Sequence, residues 1–259
     1  MLLVIDIGNS SISTGIFVGD GLLGRLEIPT RPIGDVGHYK GEIEKLLPGK
    51  KEEHPLEGVI ISSVVPALTD VIARSAKEIS GSEPLIVTNS LVTGLILDVE
   101  KPEEIGTDRI ADAVAALDAF GSPVAVVDFG TATTITAVKE SRFIGGAILP
   151  GPKLMGEALH KGTAKLPFVD VVLKEEAPGS RVKALGKSTI ASMISGIIYG
   201  TAGAVERILR DIEAEEDCRF KMVLTGGLSG TMARFIGREC SLDPDLTLTG
   251  LRLIYKRNS

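Results

Sequence analysis

Apolar positions along the chain fall into two periodicities. Leu2–Ile7 is apolar apart from Asp6, and Thr14–Val18 resumes the pattern after a short polar turn, a spacing that predicts a β-hairpin. Val59–Val65 and Leu85–Thr88 are further short runs with β-branched residues, which predicts strands. Ile43–Leu47 and Asp70–Ile79 instead have helical spacing, and Thr69 stands where an N-cap of the second would be. Glu104–Phe120 predicts another helix, apolar at Ile105, Ile110, Ala113, Val114 and Leu117.

The opening pattern then returns. Val124–Asp128, Phe129-Gly130 and Thr131–Val138 repeat the logic of Leu2–Ile7, Gly8-Asn9 and Ser10–Ile16. In both, an apolar strand ends in Asp-x-Gly, hydroxyl or amide residues follow, and a second apolar strand begins. The two aspartates lie about half a chain apart, where a duplicated architecture would place them. Gly145–Pro150, helices near Lys153–His160 and Thr189–Ile212, a strand at Lys221–Leu224 and a last apolar stretch at Leu246–Tyr255 complete the order. Strands and helices mixed in this way predict an α/β protein. Its domains are expected at residues 1–117 and 118–259, with no low-complexity linker between them.

Composition narrows the function classes. With 28 basic and 34 acidic residues the formal charge is −6, which speaks against broad nucleic-acid binding through neutralised phosphates. Cys218 and Cys240 are too few for a disulfide framework or a cysteine zinc site and are expected as small buried hydrophobes in a reducing compartment. Asp6 interrupts the first apolar stretch and no basic leader precedes it, so no secretory signal and a cytoplasmic location are expected. Ser188 to Val205 carries no charge, but hydroxyl residues and Gly196, Gly200 and Gly203 dilute it. A buried helix with close backbone packing is expected there, not a membrane span.

Candidate chemistry sits at the two repeated turns. A carboxylate at a strand end followed by a glycine turn gathers backbone amides and hydroxyls around one point. Phosphate oxygens and Mg²⁺ need that combination, although an ordinary hairpin with an Asx turn would show the same residues. Asp6-Ile7-Gly8-Asn9-Ser10-Ser11 is the first such turn, and Asp128-Phe129-Gly130-Thr131-Ala132-Thr133-Thr134 the second. Thr225-Gly226-Gly227 follows an apolar strand and could let a base or ribose approach the backbone. Gly186-Lys187-Ser188-Thr189 imitates the end of a Walker A loop, but position 181 is Arg181 where that motif needs glycine. His38, His54 and His160 are scattered without partners at metal-ligand spacing, and Ser10-Ser11 and Ser62-Ser63 lack a nucleophile-elbow context.

Asp-x-Gly, Asp-x-Gly-Thr and Thr-Gly-Gly in this order resemble the two phosphate motifs and the adenosine motif of the actin-like ATPase and sugar kinase superfamily. Within it the chain most resembles the type III pantothenate kinases. The likeness runs through Asp6–Ser10, Gly106-Thr107-Asp108-Arg109, Asp128–Thr134, Gly145–Gly151, Thr163-Ala164-Lys165-Leu166-Pro167 and Thr225-Gly226-Gly227. It implies two ribonuclease H-like domains with mixed sheets flanked by helices and the active site in the cleft between them. It also implies phosphorylation of pantothenate by ATP in a homodimer. Asp108 would be the base; Gly106, Thr107, Arg109 and Thr189 would meet pantothenate. Asp6, Ile7, Gly8, Asn9, Ser10, Ser11, Ile12, Ser13 and Thr131 would contact ATP, Asp6 serving its Mg²⁺. Asp128 would ligate a potassium or ammonium ion.

Two positions depart from the family. Thr136 stands where many members carry aspartate, and Val99 where many carry tyrosine before the Pro102 segment. Val99 keeps a different hydroxyl acceptor open, and a non-catalytic regulatory member of the family is the alternative from another class. The presence of Asp6, Asp108, Arg109 and Asp128 together favours the enzyme.

Overall fold

Leu2–Ile7 forms β1, Ser11–Val18 forms β2 and Gly21–Pro29 forms β3, an antiparallel meander closed by tight turns. This computed structural model describes residues 1–47, 55–171 and 182–259; His54 and Arg181 lie outside them. After β3 come helix α1 (Val36–Glu44), β4 (Gly58–Ser63), α2 (Pro66–Ser80), β5 (Leu85–Ile86) and β6 (Ile96–Leu97). A single 3₁₀ turn at Pro102–Glu104 leads into α3 (Thr107–Phe120). The first sheet runs β3-β2-β1-β4-β5, with β4 parallel to β1 and β5 parallel to β4.

The second half repeats this arrangement. β7 (Val124–Phe129), β8 (Ala132–Lys139) and β9 (Arg142–Pro150) form a meander whose strands match β1, β2 and β3 in length: six, eight and nine residues. A register shift follows the sixth residue of the middle strand in both, at Ile16/Phe17 and at Ala137/Val138. Helices α4 (Pro152–Lys161) and α5 (Thr189–Glu215) precede β10 (Lys221–Thr225), which pairs parallel to β7. A single turn, α6 (Ser229–Met232), and β11 (Ser241–Leu242) follow, so the strands of this half lie in the order β9-β8-β7-β10-β11. Strand lengths, bulge positions and ladder order all recur, which a chance likeness of two turns would not produce.

The chain divides into two compact units, Met1–Asp118 with Asp245–Ser259, and Ala119–Pro244. The sequence-based boundary after residue 117 left the C-terminus in the second domain; the last helix, α7 (Leu246–Asn258), instead belongs with the first. Its apolar residues explain why. Leu248, Leu251 and Ile254 pack with Leu2, Val4 and Ile60 of the first sheet and with Ile110 and Val114 of α3. Thr247 adds a hydroxyl bond to the buried Asp112 of α3, 2.6 Å. Leu3, Ile5, Ile7, Ile12 and Ile16 face a separate cluster with Tyr39, Leu68 and Ile72 from α1 and α2.

In the second unit Val127, Phe129 and Ile135 pack with Ile197, Ile198, Val205 and Leu209 of α5. Both cysteines are free and lean on this cluster, but they are half-buried where full burial was expected. Gly196, Gly200 and Gly203 were expected in a closely packed face, but they lie on the exposed side of α5, where an added Cβ would meet nothing within 4 Å. The apolar face of the helix is its opposite side, so the glycines are not needed for packing inside the chain. Among the described residues no helix is long and apolar enough to cross a membrane.

Candidate active site

Asp6 and Asp128 occupy the same place in the two meanders. Each is the fifth residue of a six-residue strand and the only one in it that is not fully buried. Each is flanked across the sheet by hydroxyl residues on both sides. Asp6 is level with Ser13 on β2 and Ser62 on β4, and Asp128 with Thr134 on β8 and Thr225 on β10. Directly paired residues project to the same face of a sheet, so each carboxylate sits in a row of oxygen donors.

The turn after Asp6 is held by its own backbone and by a residue the sequence motifs did not single out. Gly8 donates its N–H to Ser11 O at 2.9 Å. Thr30, one residue beyond β3, gives its hydroxyl to Gly8 O at 2.7 Å and its N–H to Ser10 O at 3.1 Å. Asn9 and Ser10 are exposed and Ser11 and Ser13 half-buried, so polar groups of this turn are open to a ligand. Ile7 and Ile12 are fully buried in the core, and only their backbone could serve one.

The second turn is crowded by glycine. Gly130 donates to Ala132 O at 3.1 Å, and Gly151, at the start of α4, donates to Thr131 O at 3.0 Å. Gly226 adopts φ +87°, and a Cβ there would overlap the Asp128 carboxylate and the Phe129 backbone. Only glycine lets the chain after β10 close on Asp128 in this way. Thr131 is exposed, whereas Thr136 is fully buried on the Asp128 face of the sheet, beyond Thr134.

Gly226→Ala is therefore expected to lower kcat by at least about tenfold, because displacement of a positioned group by about 1 Å costs up to about 10² in rate. It should also destabilise the fold by roughly 1 kcal/mol or more. Kinetics and thermal unfolding check this against Gly230→Ala, whose added Cβ would meet nothing within 4 Å.

Gly106-Thr107-Asp108-Arg109 forms the first turn of α3. The Asp108 carboxylate folds back to accept the N–H of Arg109 at 2.7 Å and lies over Gly106, where a Cβ would overlap it. Burial pushes the Asp108 carboxyl above the ordinary aspartate range, opposed in smaller measure by the Arg109 N–H and the Arg109 charge. Burial also lowers Arg109, against the pull of the Asp108 and Asp112 carboxylates; a guanidinium remains a cation nonetheless. A carboxylate held ready but kept from full solvation, beside a fixed positive charge, suits a base acting next to an anionic substrate.

Thr107 faces inward. Its Oγ1 lies 2.9 Å from Ser62 Oγ and 3.3 Å from Ser63 N. Ser63 Oγ in turn accepts from Thr69 Oγ1 at 2.8 Å and from Val65 N at 3.1 Å. Asp6 and the Asp108 turn are thus brought to one end of the first sheet through β4, a link no motif revealed. Thr189 opens α5 in the second unit, exposed, next to the N-cap Ser188, which accepts from Ala191 N at 3.2 Å. An open depression of about 580 Å³ adjoins it, lined also by Leu159, Leu166, Lys187, Ser192 and Met193. Among the described residues no group of three or more His, Cys, Asp or Glu side chains could hold a metal. The carboxylates that matter here stand singly.

One strand order recurring in the two halves, with an aspartate at the same position of each first strand, is the fold of the actin-like ATPase and sugar kinase class. Solved structures share this fold. A Baf family transcriptional activator from Campylobacter jejuni superposes with TM-score 0.60 at 19% identity, over 98% of this chain and 97% of that one. The activator of the 2-hydroxyisocaproyl-CoA dehydratase from Clostridium difficile, with bound ADPNP, gives TM-score 0.54 at 13% identity, over 99% and 95%. Sequence likeness is closer and more specific. The family model for type III pantothenate kinase matches residues 2–211. Type III pantothenate kinases from Moorella thermoacetica and Brevibacillus brevis are 37% identical over 270 residues and 43% identical over 261 residues. The alignments cover all of this chain and 100% and 99% of those proteins. The chain belongs to the type III pantothenate kinase family, and is thereby an ATP-dependent kinase.

Proposed function

We propose that this protein transfers the γ-phosphate of ATP to the 4′-hydroxyl of pantothenate, giving 4′-phosphopantothenate at the entry to coenzyme A synthesis. Full-length likeness to pantothenate kinases supports the substrate, and the observation that carries the chemistry is Asp108. It is a half-buried carboxylate fixed by the helix N-terminus at Arg109 and spared a steric block only because residue 106 is glycine. In this reading Asp108 takes the hydroxyl proton as the oxygen attacks the γ-phosphorus, and the bond to the ADP oxygen breaks. Arg109 holds the pantothenate carboxylate, and the family likeness adds Gly106, Thr107 and Thr189 as further pantothenate contacts. The turn Gly8–Ser13 and Thr131 hold the ATP phosphates through backbone amides and hydroxyls.

Two ions belong to the proposal. Asp6, between Ser13 and Ser62, suits Mg²⁺ held through water, and Asp128, in its row of hydroxyls under Gly226, suits a potassium or ammonium ion. When bound, these ions would offset the negative charge of the transferring phosphate. A regulatory role would leave Asp108 without a task, and no observation favours it. The decisive test is a product assay with ATP and pantothenate, run beside other hydroxy acids and sugars because of Val99. Absence of phosphopantothenate would refute the reading.

The proposal places the reaction in the cytoplasm and in a homodimer. Thr189, Ser192, Gly196, Gly200 and Gly203 form an exposed, small-residue stripe along α5 on which a second copy could close. Light scattering at micromolar concentration should give twice the chain mass, and Gly200→Glu should give the monomer. A wild-type monomer would remove the dimer from the model.

A further inference from the structure

We propose that Ser62 is a positioning residue for the phosphoryl transfer, setting the distance between the ATP-side carboxylate Asp6 and the base Asp108. This rests on the pantothenate kinase reading above. Ser62 is fully buried near the end of β4, level with Asp6 on the neighbouring parallel strand β1. Its hydroxyl does not turn to its own backbone, the usual recourse of a buried serine. It meets Thr107 Oγ1 at 2.9 Å, in the residue directly before Asp108.

The other contacts of the Thr107 hydroxyl point the same way. Thr107 Oγ1 lies 3.4 Å from Ser63 O and receives the Ser63 N–H at 3.3 Å. All three of its contacts are therefore with Ser62 and Ser63, and its single proton stays among them. The hydroxyl of Thr107 is thus committed to the end of β4, and whatever Thr107 offers a substrate comes from its backbone or its methyl group. Ser63 is itself braced, accepting from Thr69 Oγ1 at 2.8 Å and from Val65 N at 3.1 Å. The first turn of α3 is therefore pinned to β4 through side chains one residue from the base. Asp108 then has its orientation fixed from two directions, by Arg109 N on the helix side and by Thr107 on the sheet side.

In-line transfer depends on the base, the acceptor oxygen and the γ-phosphate being held together, and displacement of about 1 Å costs up to about 10² in rate. Ser62 lies between the two carboxylates that serve opposite sides of that reaction. In the second unit Thr225 occupies the matching position beside Asp128, yet among the described residues no α3-like turn with a base is tied to it, and its neighbour is the Gly226 turn. The two halves of the repeat have thus put the same hydroxyl position to different uses.

The test is a double-mutant cycle on the full chain with ATP and pantothenate, using Ser62→Ala and the near-isosteric Thr107→Val. Each single variant is expected to lower kcat by roughly 10- to 100-fold. KM for ATP should stay within about twofold, because positioning of the transition state and not nucleotide binding is lost. The double variant should be no slower than the worse single one, since both remove the same bond. Unfolding temperatures near the wild-type value show that the loss is not of folded protein, and Thr107→Val carries the test alone should Ser62→Ala fail to fold. Wild-type kcat in Ser62→Ala, or losses that multiply in the double variant, would overturn the inference while leaving the kinase reading intact. A wild-type protein that does not phosphorylate pantothenate would overturn both.

Discussion

Asp108→Asn is expected to lower turnover by roughly 10²–10⁴, the usual contribution of a general base, while ATP binds almost as before. Asparagine keeps the shape of the side chain and can still accept the Arg109 N–H, so the first turn of α3 stays in place. What it loses is the capacity to take the hydroxyl proton. Stability should not suffer. A carboxyl raised by burial favours the folded state when protonated, and that advantage is lost as pH rises through its folded value. At neutral pH the ionised group is a cost, and the amide removes it. The unfolding temperature of Asp108→Asn should equal or exceed that of the wild type. The same shift sets the pH profile: the acidic limb of kcat/KM for pantothenate should lie above the ordinary aspartate range and vanish in the variant. Turnover close to wild type, or an acidic limb that persists unchanged, would assign the base elsewhere.

The duplicated turns were legible because their residues are chemically unusual for strand ends, and both copies carry the signal. β3 was not, because Gly21, Gly24 and Pro29 dilute a run whose alternation is that of an edge strand. α1 was read only at its end, since Gly37 and Gly41 hide the helical period that Asp35 initiates by accepting from His38 N at 2.8 Å. Thr69 was placed as the cap of α2, yet the helix starts at Pro66, whose fixed φ suits a first turn. Thr69 instead turns its hydroxyl to Ser63 Oγ and to Val65 O. Position along the chain also misled the assignment of α7, because a helix at the C-terminus can return to the first sheet without leaving a local mark. Ser62 and Thr30 share a further reason for being missed. A serine in an apolar run and a threonine after a strand are common, and only the register shows what they touch. Short motifs reveal groups offered to a ligand; groups that hold those in place are read from the ladder.

Potassium or ammonium dependence should follow from Asp128. Its carboxylate is half-buried at the end of β7, level with Thr134 and Thr225 and closed over by Gly226. Partial burial of a carboxylate is costly unless a cation or donors compensate it. One carboxylate flanked by hydroxyl residues can serve an oxygen-preferring cation, and it is the likeness to the family, not the donor count, that proposes a monovalent one here. After dialysis into a sodium or Tris buffer with Mg²⁺, activity should be low and rise at least about tenfold when potassium is added, in line with the 10²–10³ attributed to a well-placed electrostatic contact. Potassium should also raise the unfolding temperature of the wild type, because an ion that binds only the folded state stabilises it. Asp128→Ala should lose both responses and most of its activity. Thr136 is the source of the opposing case. It is buried on the same face, where an aspartate would have added a second negative charge, and its hydroxyl offers the ion a dipole in place of a charge. If that weakens the site, Thr136→Asp should lower the potassium concentration needed for half-activation. A wild-type enzyme equally active with and without either ion, and equally stable, would mean that Asp128 serves the nucleotide directly.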